Sequence, residues 1–143
     1  MISDDTLNTE INKASHYNLH KSGIETIDVT RWLNFDLGNC WKYCMRYKNK
    51  ESAEKDLLKA LYYINDFTEN FIDYNNDSTY IHKLPSDIVS NMCAIIDAEE
   101  SPIIKAIFEQ ILSITTQNGI MDPIAYKNAI ENLKKFAKEQ TIN

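Results

Sequence analysis

The sequence predicts an all-α protein in which a helical hairpin core is extended by additional C-terminal helices. Apolar residues recur at helical spacing along most of the chain. The 143 residues include only three glycines and three prolines, which leaves few positions for the tight turns that join neighbouring strands. Each proline stands beside a serine or an aspartate at a predicted helix start. Together these features favour helices over sheets.

The first three predicted helices form the hairpin and the segment that precedes it. Ile24, Ile27, Val29, Trp32 and Leu33 predict a helix over residues 24–34. A second helix is expected over 37–50, with a buried stripe made of Leu37, Cys40, Trp41, Cys44 and Tyr47. Ser52 is a good N-cap for a third helix over 53–72, whose core stripe includes Leu57, Leu61, Ile64 and Phe71, with Leu58 and Phe67 beside it.

Three more helices follow a polar loop over residues 73–79. Pro85-Ser86 opens one that runs through about residue 97. Ser101-Pro102 starts the next, which Asn118-Gly119 ends, and Asp122-Pro123 starts the last. We therefore expect a flexible N-terminus over 1–15, a helical domain over 16–72, and a helical extension over 73–143. The extension is expected to pack on that domain or on another subunit, which favours an oligomer.

Charge and hydropathy exclude several classes of function. A net charge of -6 argues against DNA or RNA binding, which needs a broad basic surface. No apolar run approaches about 18 residues, so no transmembrane helix is expected. The first residues are acidic and polar, unlike a secretory signal, and this favours the cytoplasm.

The three cysteines and three histidines do not predict a zinc site. Cys40 and Cys44 lie four residues apart on the apolar stripe of the second helix, and Cys93 is distant in sequence. The three histidines do not supply a recognised zinc-ligand spacing with them. We interpret the cysteines as buried apolar residues in a reducing cytoplasm.

The strongest candidate site is a polar face of the second predicted helix. Asn39, Lys42, Tyr43 and Arg46 lie at positions i, i+3, i+4 and i+7, so they share one face. Residues 42–50 carry four basic side chains and no acidic one, a local reversal of sign in an acidic chain. Such a face suits a phosphorylated small ligand. The alternative is a solvated surface, with the last lysines placed at the negative end of the helix dipole.

The segment before the first predicted helix offers a second group of polar side chains. His16, His20 and Lys21 lie close together in a predicted loop that ends at Gly23. These residues could hold an anion. In the alternative interpretation, Tyr17 and a neighbouring leucine plug the core while the histidines face water.

Pairs of carboxylates at helical spacing are candidate ligands for a metal ion. Glu25 and Asp28 are three residues apart and could hold a divalent cation through oxygen ligands. Similar pairs occur at Glu51/Glu54, Asp66/Glu69 and Asp97/Glu100, as chance alone predicts in an acidic chain. The three glycines are far apart, so no glycine-rich phosphate loop can be written. Any phosphate must then be held by side chains or by helix N-termini.

Residues 16 to about 65 resemble a small phage domain family of largely unknown function. The matching blocks, in order, are His16-Tyr17, Ile24-Glu25-Thr26-Ile27-Asp28-Val29, Gly38-Asn39, Lys42-Tyr43, Arg46, Lys50, Asp56-Leu57, Lys59-Ala60 and Tyr63. The family includes a phage nucleoside-monophosphate kinase that lacks a P-loop. The resemblance implies a phage protein that handles nucleotides in the host cytoplasm. It extends the ligand-binding role to His16, Tyr17, Asn39, Lys42, Tyr43, Arg46 and Lys50, with Glu25 and Asp28 as metal or sugar-hydroxyl candidates.

The favoured function is binding of a phosphorylated nucleotide, which would sequester a host immune signal without turnover. Tyr17, Tyr43 or Trp41 would stack on the base or ribose. A first alternative is an enzyme: a nucleoside-monophosphate kinase, or a metal-dependent nucleotide pyrophosphohydrolase that uses Glu25 and Asp28, with Glu51 and Glu54 as further ligands. Binding requires no cofactor, whereas the enzymes imply Mg²⁺. A second alternative is a module that binds a host protein through its C-terminal helices.

Overall fold

The computed structural model describes residues 2–16, 20–48, 53–75, 84–116 and 121–142. Side chains are described in these ranges except those of residues 11–16, 141 and 142. The described part is all-α, as the sequence predicts, and contains no strand. Its helices are α1 (Asp4–His16), α2 (Thr26–Thr30), α3 (Phe35–Arg46), α4 (Ala53–Phe71), α5 (Ser86–Ala98), α6 (Pro102–Thr116) and α7 (Pro123–Ile142).

Helix α1 occupies most of the segment that we expected to be a flexible N-terminus. Ser3 caps this helix, because its Oγ accepts a hydrogen bond from the Thr6 amide at 3.1 Å. Asp4 and Asp5 lie in the first turn, where negative charge favours a helix. The side chains of residues 4–10 are exposed. Over residues 4–10, whose side chains the structure describes, the local capping signals therefore account for the helix.

The predicted helix over residues 24–34 is wrong in length, since α2 ends at Thr30. Asn34 explains the difference because it caps the next helix instead of continuing the first. Its Oδ1 accepts a hydrogen bond from the Leu37 amide at 2.8 Å. Helix α3 consequently begins at Phe35, two residues earlier than predicted, and ends at Arg46.

Helices α3 and α4 form the predicted hairpin. The predicted stripe of α3 is confirmed, since all of its members are buried: Leu37, Cys40, Trp41, Cys44 and Tyr47. On α4, the buried side chains include Leu57, Leu61, Ile64 and Phe67. The placement of Phe71 in the core stripe, and of Leu58 beside it, was wrong, because both side chains are exposed. Cys93 is also exposed, contrary to the expectation of a buried cysteine.

Helices α6 and α7 pack on the hairpin within the same chain, and α5 packs on α2 and α6. Trp41 of α3 contacts Phe108 of α6, with ring centroids 4.2 Å apart, and Tyr47 contacts Phe136 of α7. Buried residues of both halves form one continuous hydrophobic core. The predicted caps of the last two helices are confirmed, since Ser101 Oγ and Asp122 Oδ1 accept hydrogen bonds from amides of α6 and α7. The expected end at residues 118–119 lies outside the described residues.

None of the helices described here is both long enough and apolar enough to span a bilayer.

Candidate functional site

Three cationic side chains surround the ring of Tyr43. The ring centroid lies 4.5 Å from Lys42 Nζ, 5.2 Å from Lys59 Nζ and 5.9 Å from Arg46 Cζ. These distances are typical of cation–π contacts. Together with Tyr63, these residues are called the Tyr43 cluster below. The face predicted on the second helix therefore does gather its charged members around one aromatic ring.

The helix hairpin brings the Tyr43 cluster together from two helices. Lys42, Tyr43 and Arg46 come from successive turns of α3, while Lys59 and Tyr63 lie one turn apart on α4. The rings of Tyr43 and Tyr63 are parallel to within 3°, with centroids 6.1 Å apart. Tyr63 also meets the edge of another ring, which belongs to the first residue of α3. The cluster thus combines positive charge with flat apolar surfaces.

A buried carboxylate lies behind Arg46. Arg46 Nε is 3.9 Å from Asp56 Oδ2, and the Asp56 side chain is 2% exposed, against 38% for that of Arg46. This ion pair joins α3 and α4 across the hairpin. Arg46 Nε is buried and donates no hydrogen bond among the described residues. The Asp56 charge therefore attracts the guanidinium to the hairpin, while other parts of the guanidinium remain accessible.

A groove of about 360 Å³ adjoins the cluster. It lies between α2 with its following turn and the first two turns of α3, and its lining residues are Ile27, Thr30, Arg31, Leu33, Asn34, Phe35, Gly38, Asn39 and Lys42. A Cβ atom on Gly38 would lie 3.2 Å from the Thr30 carbonyl oxygen, so glycine allows the backbone after α2 to approach α3 closely. Lys42 borders both the groove and the Tyr43 ring, so the two features form one continuous surface.

The amide side chains of this groove have fixed orientations. Asn39 donates a hydrogen bond from Nδ2 to the Phe35 carbonyl oxygen at 2.8 Å, which leaves its Oδ1 available as an acceptor. Asn34 uses its Oδ1 as the cap of α3, so its NH₂ group remains available as a donor. The groove therefore offers hydrogen-bonding groups of both kinds beside its cations.

His20 and Lys21 contact carboxylates of their own chain. His20 Nε2 lies 3.3 Å from Glu99 Oε1, and Lys21 forms an ion pair with Glu100. The Ser22 amide donates a hydrogen bond to His20 Nδ1 at 3.1 Å, so Nδ1 is an acceptor and Nε2 carries the proton that is donated to Glu99. His20 and Lys21 therefore have partners within their own chain. Neither residue lies in the Tyr43 cluster or the groove lining. This arrangement argues against their predicted role in binding an external anion.

Glu99 is the centre of a buried polar network. Its Oε2 lies 3.3 Å from Lys48 Nζ and accepts a hydrogen bond from the Ser101 amide at 2.9 Å. Burial acts to raise the pKa of Glu99, but the hydrogen bonds from His20 and Ser101, with the Lys48 charge, outweigh burial and lower this pKa. Burial and the Glu99 charge raise the pKa of Tyr47 to about 12. Lys48 therefore serves this network and lies apart from the Tyr43 cluster.

Asp36 and Asp66 form a pair of neighbouring carboxyl groups between α3 and α4. Asp36 is buried in the first turn of α3. Burial, together with the hydrogen bond and the charge of Asp66, raises the pKa of Asp36 to about 6. Asp36 therefore retains its proton at mildly acidic pH.

Several predicted site residues do not join the surface. Asp28 makes a 4.0 Å contact with Arg31, and Glu25 is the N-cap residue of α2. No group of three or more potential metal ligands is found in the part of the chain that the structure describes. Trp41 was wrongly considered as a stacking residue, because it is buried against α6. Tyr17, Lys50 and Glu51, and the side chain of His16, lie outside the described residues.

The predicted site lacked Arg31, Phe35, Lys59 and Tyr63. For the last two, the sequence carried a usable signal, because they lie four residues apart on α4 and belong to the blocks of the family resemblance. Arg31 and Phe35 had no such signal. They reach the groove only because the chain turns over residues 31–34, which were predicted as the last part of the first helix.

Residues 11–65 match the protein family DUF3310, whose function is unknown. No curated protein and no solved structure shows a significant match to the chain. The DUF3310 match includes α2, α3 and the first part of α4, and therefore every residue of the Tyr43 cluster and the groove. Helices α5, α6 and α7 lie beyond it. The candidate site thus belongs to the part of the chain that is similar to DUF3310.

Proposed function

We propose that the chain binds a phosphorylated nucleotide at the Tyr43 cluster and the adjoining groove. The observation that carries this proposal is the convergence of Lys42, Arg46 and Lys59 on one tyrosine ring in a chain of net charge -6. Arg and Lys side chains bind phosphate through charge-assisted hydrogen bonds, and the planar Arg fork can form two at once. A local positive surface on an acidic protein also favours a small anion over a long nucleic acid.

Aromatic surfaces beside the cations suit the base or the ribose. Tyr43 and Tyr63 are half-buried and parallel, and Phe35 at the groove is 73% exposed. Stacking of a base on an aromatic ring contributes about 1–3 kcal/mol. The volume of the groove falls at the lower end of the range typical of small-molecule sites, roughly 300–1,000 Å³. A single nucleoside is a ligand of suitable size and polarity.

Binding without turnover is the form of this function that we favour. The side chains lining the groove are cations, amides, a hydroxyl and apolar groups, and among the described residues no carboxylate is part of that lining. Phosphoryl transfer ordinarily needs two aligned substrates and a residue that orients the nucleophile. In the phage setting that the family resemblance implies, retention of an intact nucleotide would sequester a host signal.

Ligand recovery tests the proposal directly. The purified full-length chain is incubated with mixed mononucleotides, dinucleotides and cyclic nucleotides, with and without Mg²⁺, then washed and denatured, and the released molecules are identified by mass. We expect an unaltered nucleotide to be released. The variant Lys42→Gln/Arg46→Gln should lose this ligand, whereas Lys134→Gln/Lys135→Gln on α7 removes the same charge elsewhere and should retain it.

The other outcomes favour the other functions. A chemically altered nucleotide in the unbound fraction, dependent on Mg²⁺, would favour the kinase or the pyrophosphohydrolase. Full retention of the nucleotide by the Lys42→Gln/Arg46→Gln variant would exclude the proposed site. If nothing is retained or altered, the predicted binding of a host protein through the C-terminal helices becomes the better hypothesis.

A further inference from the structure

A fourth cation stands on the side of the groove that α2 contributes. Arg31 follows α2, whereas Lys42 belongs to α3, and both border the same groove. The other two cations of the Tyr43 cluster, Arg46 on α3 and Lys59 on α4, are not part of the groove lining. The surface is therefore positive at two places: at Arg31 on the α2 side of the groove, and at the Tyr43 cluster.

Arg31 is held by its backbone contact and keeps most of its donors. Its Nε donates a hydrogen bond to the Ile27 carbonyl oxygen at 3.2 Å. One terminal nitrogen lies 4.0 Å from Asp28 Oδ1, and both side chains of this pair are largely exposed. Because an exposed pair at this distance is weak, a phosphate can compete with Asp28 for the guanidinium. The hydrogen bond from Nε already restricts the Arg31 side chain, so ligand binding costs less side-chain conformational entropy.

The other lining residues of the groove are suited to an uncharged group. Thr30, Asn34 and Asn39 supply polar atoms, and Leu33 and Phe35 supply apolar surface. The free oxygen of Asn39 accepts hydrogen bonds and the free NH₂ group of Asn34 donates them. Nucleosides present both donors and acceptors on a flat apolar framework, so a nucleoside matches this lining.

We infer that the ligand of this site carries two phosphate groups separated by a nucleoside, one bound by Arg31 and the other by the Tyr43 cluster. This inference rests on the proposed function and adds a ligand class to it. Nucleoside 3′,5′-bisphosphates and short linear dinucleotides with a 5′-phosphate share this chemistry. A nucleoside 5′-monophosphate engages only one of the two positive regions.

Titration calorimetry on the full-length chain tests the inference with four defined probes. They are adenosine 5′-monophosphate, adenosine 3′,5′-bisphosphate, the 5′-phosphorylated diadenosine dinucleotide, and inorganic tripolyphosphate, all at one ionic strength. We expect the bisphosphate or the dinucleotide to bind about tenfold more tightly than the monophosphate, since one additional charge-assisted contact forms. The tighter of these two identifies the source of the second phosphate. Tripolyphosphate should bind less tightly than either, because it lacks the nucleoside.

The variant Arg31→Gln separates this inference from the proposed function. It should lower the affinity for the bisphosphate or the dinucleotide about tenfold more than the affinity for the monophosphate, which abolishes the advantage of the second phosphate. Lys134→Gln, on α7, is the matched charge control and should preserve the advantage. Equal binding of all nucleotides by the wild-type chain, or an equal loss for monophosphate and bisphosphate in Arg31→Gln, would overturn the inference while the proposed function stands. Failure of every nucleotide to bind would overturn both.

Discussion

His20 donates a hydrogen bond to Glu99 across the interior of the protein, with Nε2 and Oε1 separated by 3.3 Å. The two residues are 79 positions apart in the chain and both are buried. Their sequence neighbours, Lys21 and Glu100, form an exposed ion pair. Two contacts of similar chemistry but different burial thus connect the same two segments, the loop before α2 and the corner between α5 and α6. Because each Glu→Gln variant removes the same charge, the effect of burial on the free energy of unfolding can be measured separately.

Glu99→Gln should lower the free energy of unfolding by about 2 kcal/mol at pH 7. The Glu99 carboxylate is 1% exposed and compensates Lys48 while it accepts hydrogen bonds from His20 and the Ser101 amide. Gln keeps only one acceptor oxygen and places an NH₂ group against one of these donors. Urea denaturation followed by circular dichroism measures the change.

Glu100→Gln is the matched control for that measurement. It removes the same charge from the neighbouring residue, but the ion pair with Lys21 is exposed, so the expected loss is at most about 0.5 kcal/mol. Equal losses in both variants would show that burial of the His20–Glu99 contact contributes nothing to stability.

Asp36 should make the protein less stable as the pH rises from about 4 to above 6. In the unfolded chain this carboxyl has its ordinary pKa of 3.8, whereas in the folded protein the pKa is about 6. Between these values the folded state retains a proton that the unfolded state has released, so the free energy of unfolding falls with increasing pH, by about 2–3 kcal/mol in total. Asp36→Asn should remove this dependence and raise the melting temperature at pH 7.5.

The control for Asp36 is another aspartate in the first turn of a helix. Asp87 occupies this position in α5 and is exposed. Asp87→Asn loses a favourable interaction with the helix dipole, so it should lower stability slightly at pH 7.5. A melting temperature that falls in Asp36→Asn, as it does in Asp87→Asn, would contradict the predicted unfavourable pairing with Asp66.

Lys59→Gln should weaken nucleotide binding by about three- to tenfold and reduce its dependence on salt. The Lys59 ammonium lies 5.2 Å from the centre of the Tyr43 ring, so it adds to the positive potential at the proposed phosphate position. Lys55→Gln removes a lysine one turn earlier on the same helix and provides the control. Calorimetric titration at two salt concentrations measures both effects, and identical behaviour of the two variants would exclude a specific role for Lys59.

Trp41→Ala should destabilise the protein by about 3–5 kcal/mol, because it leaves a large cavity beside Phe108. Trp32→Ala removes the other tryptophan, which is partly exposed, and should cost less than about 1.5 kcal/mol. Thermal denaturation monitored by circular dichroism separates these outcomes. Similar melting temperatures for the two variants would contradict the packing of the hairpin on α6.

The sequence predicted those features that depend on local chemistry. The apolar spacing of α3 identified its buried stripe, and Ser101 and Asp122 identified the starts of α6 and α7. The same local reasoning placed Lys42 and Arg46 on one face, and the structure brings both to the Tyr43 ring. Each of these predictions uses residues within about three helical turns of one another, where spacing alone fixes geometry.

The sequence could not predict features that depend on competition between groups. Asn34 fits both the interior of a predicted helix and the cap of the next, and only tertiary packing selects the cap. His20 and Lys21 looked available for a ligand because Glu99 and Glu100 are distant in sequence. Asp36 lies in the first turn of α3, where a carboxylate is ordinarily favourable, yet burial beside Asp66 opposes its ionisation. Such outcomes depend on contacts between segments that are distant in sequence, and residue spacing does not predict these contacts.

The contrast between the two tryptophans gives the protein two fluorescent reporters in different places. Trp41 lies in an apolar environment against Phe108, and Trp32 is 40% exposed beside Arg31. Emission at shorter wavelengths should therefore come mainly from Trp41 and report the contact between the hairpin and α6. Emission at longer wavelengths should come mainly from Trp32 and respond to a ligand that enters the groove. Trp41→Phe leaves Trp32 as the reporter of ligand binding, and Trp32→Phe leaves Trp41 as the reporter of core unfolding. Neither measurement needs an added dye.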